Sequence, residues 1–252
     1  MEEMITVKNV SKNFINRGSA DTLAVKDISF TLERGETLGI VGESGSGKST
    51  VARLITGLIS PTSGEIRICD NDIQKQRCED PLGLYSNIQM VFQNPVESFN
   101  PRKTLGYGID ESLRNRGISP SAAATIVAQL LEKVGLTPDF STKYPHQVSG
   151  GQCQRAAIAR ALAVEPRILI CDEATSALDV TVQKQIIELL DELRRTRDLS
   201  IIFICHNLAL VQSFCDRVIV LYDGEIVEQG KPDDIINNPQ AEYTKLLVDS
   251  IL

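Results

Sequence analysis

Hydrophobic positions recur along this chain in two rhythms. Ile5-Thr6-Val7 and Ile28-Ser29-Phe30-Thr31-Leu32 alternate apolar with polar residues, the period of a half-buried antiparallel strand. Thr37-Leu38-Gly39-Ile40-Val41, Arg167-Ile168-Leu169-Ile170-Cys171 and Ser200-Ile201-Ile202-Phe203-Ile204-Cys205 are short, nearly continuous apolar runs. Runs of that kind, separated by helices, predict a parallel sheet covered on both faces. Arg217-Val218-Ile219-Val220-Leu221 meets Glu225-Ile226-Val227-Glu228 across Asp223-Gly224, a hairpin signal. From about Pro95 to Pro145 the apolar strands stop. Within that stretch Ala122 to Val134 has helical spacing and ends at Gly135, a good helix stop. A last helix is predicted over roughly Glu242 to Val248. The pattern predicts an α/β fold in which a mainly helical segment interrupts the sheet.

Composition narrows the class. The chain has 252 residues, enough for a sizeable core, with 42% hydrophobic and 23% charged residues, ordinary for a globular protein. No apolar run approaches the ~18–20 residues that span a bilayer. Met1-Glu2-Glu3-Met4 is acidic, where a signal peptide would be basic and then apolar, so a cytoplasmic location is expected. The 26 Lys and Arg against 33 Asp and Glu leave a formal charge of −7. Nucleic-acid binding draws much of its affinity from basic surface, so no nucleic-acid partner is expected. Cys69, Cys78, Cys153, Cys171, Cys205 and Cys215 form no CxxC pair and match no zinc or iron–sulfur spacing. They are expected to be reduced and structural.

The candidate chemistry begins at Gly42-Glu43-Ser44-Gly45-Ser46-Gly47-Lys48-Ser49-Thr50, which fits GxxxxGK[ST]. A buried strand precedes it, and Thr50-Val51-Ala52-Arg53-Leu54-Ile55 after it has helical character. Such a loop turns its N–H groups inward at a helix N-terminus and so cradles phosphate. Lys48 can reach the β- and γ-phosphates, and the Ser49 hydroxyl is placed for Mg²⁺. The apolar strand ending in Asp172-Glu173 supplies the other half. Asp172 is expected to hold Mg²⁺ through water, and Glu173 to polarise the attacking water.

Further motifs follow in a telling order. Val148-Ser149-Gly150-Gly151-Gln152 resembles the LSGGQ signature of ABC ATPases, with Val for Leu, and Gln154 to Leu162 after it is also similar to that family. Ser176-Ala177-Leu178-Asp179 resembles its D-loop. His206 past a strand end resembles the switch histidine, and Gln93 after a strand the Q-loop glutamine, a further Mg²⁺ ligand. Phe14 stands where the family stacks an aromatic on adenine. The resemblance implies a P-loop NTPase (RecA-like) core with an N-terminal antiparallel β subdomain. It also implies an α-helical subdomain at about 95–163, inserted in a single domain of 1–252. Catalysis would fall to Glu173, His206, Gln93 and Lys48. ATP would lie between the loop of one subunit and the signature of another, identical or paralogous.

Gln93-Asn94-Pro95-Val96-Glu97-Ser98-Phe99-Asn100-Pro101-Arg102 is similar to a segment of peptide, nickel and opine importer ATPases. Tyr144-Pro145-His146-Gln147, Ala177 to Gln183 and Tyr243-Thr244 are similar to the same group. Phe99, Cys153 and Ala174 depart from its pattern, and the chain ends without that group's longer cysteine-containing extension. The resemblance implies ATP and Mg²⁺, two transmembrane permease subunits and, indirectly, a solute-binding protein. It places the chain on the cytoplasmic face of the membrane. A permease helix would dock at about Asn94 to Leu105, with Phe99 at the contact. An ABC exporter subunit, or an importer of something other than peptides, is the alternative reading.

Overall fold

Strand alternation decides which layer each residue enters. The computed structural model describes residues 2–15, 21–175 and 178–249. The chain runs through β1 (Glu3–Phe14), β2 (Thr22–Glu33), β3 (Thr37–Val41), α1 (Lys48–Ile55), β4 (Ser63–Ile68) and β5 (Asn71–Asp72). Next come α2 (Ile73–Glu79), α3 (Pro81–Asn87) and β6 (Ile88–Val91), and then α4 (Leu105–Asn115), α5 (Pro120–Lys133) and α6 (Gly150–Leu162). The chain closes with β7 (Ile168–Asp172), α7 (Val180–Arg197), β8 (Ser200–Ile204), α8 (Leu208–Phe214), β9 (Arg217–Tyr222), β10 (Glu225–Gly230), α9 (Pro232–Asn237) and α10 (Glu242–Asp249).

Two sheets result. One is antiparallel, in the order β2-β1-β4-β5, and the other has the order β10-β9-β3-β8-β7-β6. In the larger sheet β9, β3, β8, β7 and β6 are mutually parallel, and β10 returns antiparallel on β9. Both faces of the parallel strands are buried, as their unbroken apolar runs require. Ile168, Ile170, Ile202, Ile204, Ile219 and Leu221 point into a core shared with α1 and the antiparallel sheet. Their neighbours Leu169, Cys171, Ile201, Phe203, Val218 and Val220 point into a second core, with side chains from α4 to α8. Each fully buried Ile or Leu contributes roughly 1.5–3 kcal/mol relative to exposure. Between β6 and β7 the described residues form helices and turns and no strand.

The antiparallel strands extend well beyond the alternation that announces them. In β1 and β2 the register slips repeatedly. At two of these irregularities Asn9 and Asp27 adopt left-handed backbone, with φ of 49° and 50°. Serine hydroxyls take the freed donors: Asn9 N–H donates to Ser29 Oγ (2.8 Å) and Asp27 N–H to Ser11 Oγ (2.9 Å). Each bulge shifts which residues face inward, so period two holds only over short stretches. In α7 Ile186, Leu190 and Leu193 are buried, and Val182, Ile187 and Leu189 pack beside them. In α5 the cap is Ser119, with Pro120 in the first turn, and Gly135 follows the end with φ of 69°.

All six cysteines are free. Cys153, Cys171, Cys205 and Cys215 are buried, Cys69 is half-buried and Cys78 is exposed. Burial raises the Cys153 thiol to about 11 and those of Cys171 and Cys205 to about 12. At pH 8 a thiol at about 11 is thiolate in about one molecule per thousand. Titration of the native protein with an aromatic disulfide reagent should therefore modify Cys78 first and Cys69 more slowly. The other four should react only after denaturation; fast reaction of any of them would contradict the packing described.

Candidate active site at the carboxyl ends of the parallel strands

A ligand can approach the parallel strands only at their ends, because both faces are covered. Four neighbouring strands, β3, β8, β7 and β6, lead at their carboxyl ends into polar segments. Along the sheet these bring the phosphate loop, His206, the Asp172-Glu173 pair and Gln93 to one edge, in that spatial order. The carboxyl edge is where open α/β sheets take ligands.

Backbone crowding shapes the phosphate loop. Gly42 has φ of +148°, and a Cβ there would meet the Leu221 carbonyl oxygen at 2.1 Å. Gly47 has φ of +104°, and its Cβ would lie 2.5 Å from the Ala24 carbonyl oxygen. Both positions need glycine, for space and for conformation. The loop is tied at two further points: Gly224 N–H donates to Ser46 O (3.0 Å), and Val51 N–H to Gly47 O (2.9 Å). Lys48 is 5% exposed. Its ammonium donates to the carbonyl oxygens of Gly42 (2.8 Å) and Glu43 (2.6 Å). Burial lowers its pKa, while the charges of Glu173 and Asp172 act the other way.

Ser49 Oγ donates to Asp172 Oδ1 at 3.2 Å, bridging the loop to the end of β7. Asp172 is 4% exposed, and its pKa is raised, chiefly by burial, with the Ser49 bond opposing. A hydroxyl and a carboxylate side by side, with no ammonium or guanidinium in ion-pair contact with Asp172 among the described residues, are hard oxygen donors of the kind Mg²⁺ takes. Among the described residues no cluster of three or more His, Cys, Asp or Glu could hold a metal by itself. A hard cation here would need ligands beyond carboxylates, imidazoles and thiolates.

The Glu173 carboxylate is shared. Gln93 Nε2 donates to one of its oxygens, and His206 Nε2 hydrogen-bonds the other. Its backbone is left-handed, with φ of 50°, a conformation that costs a non-glycine residue about 1 kcal/mol or more. The Glu173 N–H donates to Ile204 O at 2.9 Å, which anchors the turn to β8. The Glu173 side chain is 13% exposed and that of His206 48%. The histidine thus stands at the mouth of the site and the carboxylate inside it.

Other sequence-predicted residues lie elsewhere. Val148-Ser149-Gly150-Gly151-Gln152 forms the start of α6. Ser149 caps that helix in a reciprocal box: Gln152 N–H donates to Ser149 Oγ (3.2 Å) and Ser149 N–H to Gln152 Oε1 (2.9 Å). Ser149 and Gly150 are exposed, and a Cβ on Gly150 would meet nothing. Asp179 caps α7 by accepting from Val182 N–H (3.0 Å), and Leu178 packs against the helix-side core. Ser176 and Ala177 fall outside the described residues. Phe14 ends β1 and is 37% exposed, with the Lys12 ammonium 5.2 Å from its ring centroid. Glu43 and Ser44 are exposed within the loop, and Thr50 continues α1.

The structure corrects one expectation and adds residues that went unread. Phe99 is 5% exposed. It packs beside Gly108, where a Cβ would lie 2.7 Å from the ring, with the Arg160 guanidinium 4.5 Å from its centroid. It belongs to the core and not to an open contact face; Val96, 42% exposed, is the open apolar side chain of that loop. Arg160 and Gln154, both on α6, hold the segment around Gln93. Arg160 Nη1 donates to Ser98 O, and Gln154 Nε2 to Phe92 O at 3.4 Å. Burial lowers the Arg160 pKa. Polar residues on the buried side of an otherwise small and apolar helix were the signal in the sequence for both.

This arrangement of strand ends defines a P-loop nucleotide hydrolase of the ATP-binding-cassette type. A family model for the ABC transporter matches residues 25–176, and the chain belongs to that family. An oligopeptide transport ATP-binding protein, OppF of Salmonella typhimurium, is 46% identical over 230 residues, 90% of this chain and 69% of that one. A glutathione import ATP-binding protein, GsiA of Salmonella paratyphi A, is 45% identical over 249 residues, 98% of this chain but 40% of that one. Among solved structures, the dimeric post-hydrolysis state of the ATP-binding cassette MJ0796 bound to ADP and Pi superposes with a TM-score of 0.85. Its identity is 31%, over 91% of this chain and 99% of that one. The protein is the ATP-hydrolysing subunit of an ABC transporter.

The burial of Phe99 makes a quantitative prediction. Phe99→Ala should cost about 3–5 kcal/mol of folding stability, as for other large buried aromatics. Val96→Ala should change stability by less than about 1 kcal/mol. Denaturant melts of the two variants check this, and equal stabilities would return Phe99 to the surface.

Proposed function

We propose that the chain binds Mg-ATP at this edge and pairs head to tail with a second cassette. In this reading ATP hydrolysis in the pair energises import of small peptides through separate membrane subunits. The observation that carries the proposal is the ordered set of strand ends. Lys48 and Ser49, then His206, then Asp172 and Glu173, then Gln93 lie along one edge, linked through Ser49–Asp172 and Gln93–Glu173–His206.

Each side chain has a task that follows from its surroundings. The loop N–H groups and the Lys48 ammonium bind the β- and γ-phosphates from one side. Ser49, Asp172 and the Gln93 side-chain oxygen are the groups that would hold Mg²⁺, which when bound offsets charge on the phosphate oxygens. Glu173, fixed by two hydrogen bonds, accepts a proton from the attacking water as its oxygen bonds to the γ-phosphorus. The bond from that phosphorus to the β,γ-bridging oxygen breaks, and the products are ADP and phosphate. His206, at the mouth, contacts the γ-phosphate and keeps the Glu173 carboxylate aimed.

Two features support a paired state. The signature sits on an exposed helix start, where Ser149 and Gln152 bond to each other. Its capped N-terminus carries the partial positive charge that favours a phosphate. In a head-to-tail pair, Ser149 and Gly151 of one cassette would contact the γ-phosphate held by the other, with Asp179 at the seam. Phe14 would then take the adenine. Triphosphate is the ligand that completes both sides, so it favours the closed pair.

No described helix is long and apolar enough to cross a membrane, so in this reading the pathway is made by two other subunits. The cassettes sit against them at the cytoplasmic face. Val96 and its neighbours, tied to α6 through Arg160 and Gln154, form the joint that would receive a permease helix. A peptide cargo rests on the relatives, since one serves oligopeptide transport and another glutathione import, and glutathione is itself a small peptide.

Glu173→Gln tests the chemistry. The variant should bind ATP as the wild type does and lose turnover by about 10²–10⁴-fold. With Mg-ATP it should elute as a dimer in size-exclusion chromatography. Near-normal hydrolysis would remove Glu173 from its role, and a monomer under those conditions would count against the paired state. Lys48→Ala should lose ATP affinity, measured by fluorescent-nucleotide titration.

A further inference from the structure

We infer that Tyr243, on the C-terminal helix α10, is a positioning residue for the phosphate loop: its hydroxyl fixes the Glu43 peptide that in turn holds Lys48. This rests on the assignment of Lys48 to phosphate binding made above.

The contacts form a chain. Glu43 N–H donates to Tyr243 Oη at 2.8 Å. On the other side of the same residue, the Glu43 carbonyl accepts from the Lys48 ammonium at 2.6 Å, beside the Gly42 carbonyl at 2.8 Å. The Glu43 N–H belongs to the Gly42–Glu43 peptide, and its C=O to the next one. Holding the first limits rotation about φ of Glu43 and so limits where the carbonyl points. The segment needs such a hold, because it lies between two glycines, Gly42 and Gly45, that allow many backbone conformations.

The tyrosine is well placed to act as a fixed point. Its ring lies against Tyr222, with centroids 4.1 Å apart and planes at 31°. Tyr222 ends β9, and two residues on, Gly224 N–H donates to the Ser46 carbonyl of the same loop. The loop is thus held at Ser46 from the hairpin and at Glu43 from α10. The start of α10 is anchored too: the Glu228 carboxylate accepts from the N–H groups of Gln240 (2.9 Å) and Ala241 (3.0 Å). Thr244 and Val248 are buried, so the helix cannot roll without unpacking. One turn after Tyr243, on the same helix face, Leu247 lines a cavity of about 330 Å³ together with Gly42, Glu43, Ser44, His206 and Leu208. The helix therefore backs the loop over its first three residues and reaches toward the His206 side.

Removing only the hydroxyl should free the Glu43 peptide while keeping the ring stack. Lys48 then loses a fixed carbonyl partner and spends less time in its phosphate-binding position. Glu173, Gln93 and His206 lie on other strand ends, where Gln93 and His206 hold the Glu173 carboxylate. The loss should therefore appear in binding and not in the chemical step.

The test is steady-state ATP hydrolysis and thermal melting of the full chain as wild type, Tyr243→Phe and Leu246→Ala, with Lys48→Ala as reference. One net hydrogen bond corresponds to about a three- to ten-fold change in an equilibrium constant. Tyr243→Phe should raise KM for ATP by that factor, with kcat within about two-fold and the melting temperature lowered by no more than about 2–4 °C. Amide hydrogen exchange at Glu43 should quicken in the same variant. Leu246, 68% exposed on α10, faces solvent, and its replacement should change neither constant. An unchanged KM in Tyr243→Phe, whatever the melting temperature does, would reduce Tyr243 to a packing residue and overturn the inference. If Lys48→Ala keeps its ATP affinity, the underlying assignment of Lys48 fails instead. Loss in Lys48→Ala without loss in Tyr243→Phe removes the tyrosine's role alone.

Discussion

The constraint on which the rest depends is the burial of both faces of the parallel sheet. Once Ile168 and Ile170 face one core and Leu169 and Cys171 the other, the strands offer a ligand nothing but their ends. Chemistry is confined to the few residues that follow each strand. Parallel pairing then aligns those ends, because strands running in one direction finish at one edge. Five strands connected through helices thus concentrate residues from distant parts of the chain along a single line.

That confinement also explains the strain at the site. Turns at the strand ends must reverse direction at once while presenting a side chain or an N–H group outward. Gly42 and Gly47 meet this demand by having no Cβ. Glu173 meets it at some energetic cost, with a left-handed backbone secured by a bond to β8 and a carboxylate held from both sides. The sheet supplies the rigidity that such conformations need. The α6 helix extends the same logic outward, since its buried Gln154 and half-buried Arg160 bind the backbone on either side of Gln93.

Much of this was legible in the residues alone. The loop from Gly42 to Thr50 can be read because its function depends on consecutive backbone positions, so residue types and spacing carry it. The buried strands are legible because two-sided burial leaves their middles unbroken apolar runs, as in Ile168 to Cys171 and Ile201 to Ile204. The exposed helix start at Ser149 is legible because serine caps and glycine bends. The long strands β1 and β2 were seen only in part, because bulges at Asn9 and Asp27 interrupt the alternation. Helix α7 went unread although Val182, Ile186, Leu189, Leu190 and Leu193 recur at helical spacing. Phe99 was misjudged because an aromatic residue in a proline-flanked loop looks the same whether it faces outward or inward.

The sequence by itself determined the class of chemistry and singled out the candidate residues for it, since each motif is local and its residue types are those that phosphate chemistry calls for. Tertiary structure decided what those residues touch. Strand order, which no local pattern encodes, set Glu173 between Gln93 and His206, and it set Ser49 against Asp172. Chain return over some two hundred positions brought Tyr243 under Glu43. Such contacts arise from which surfaces pack together, and packing depends on the summed burial of the whole chain and not on any segment read alone.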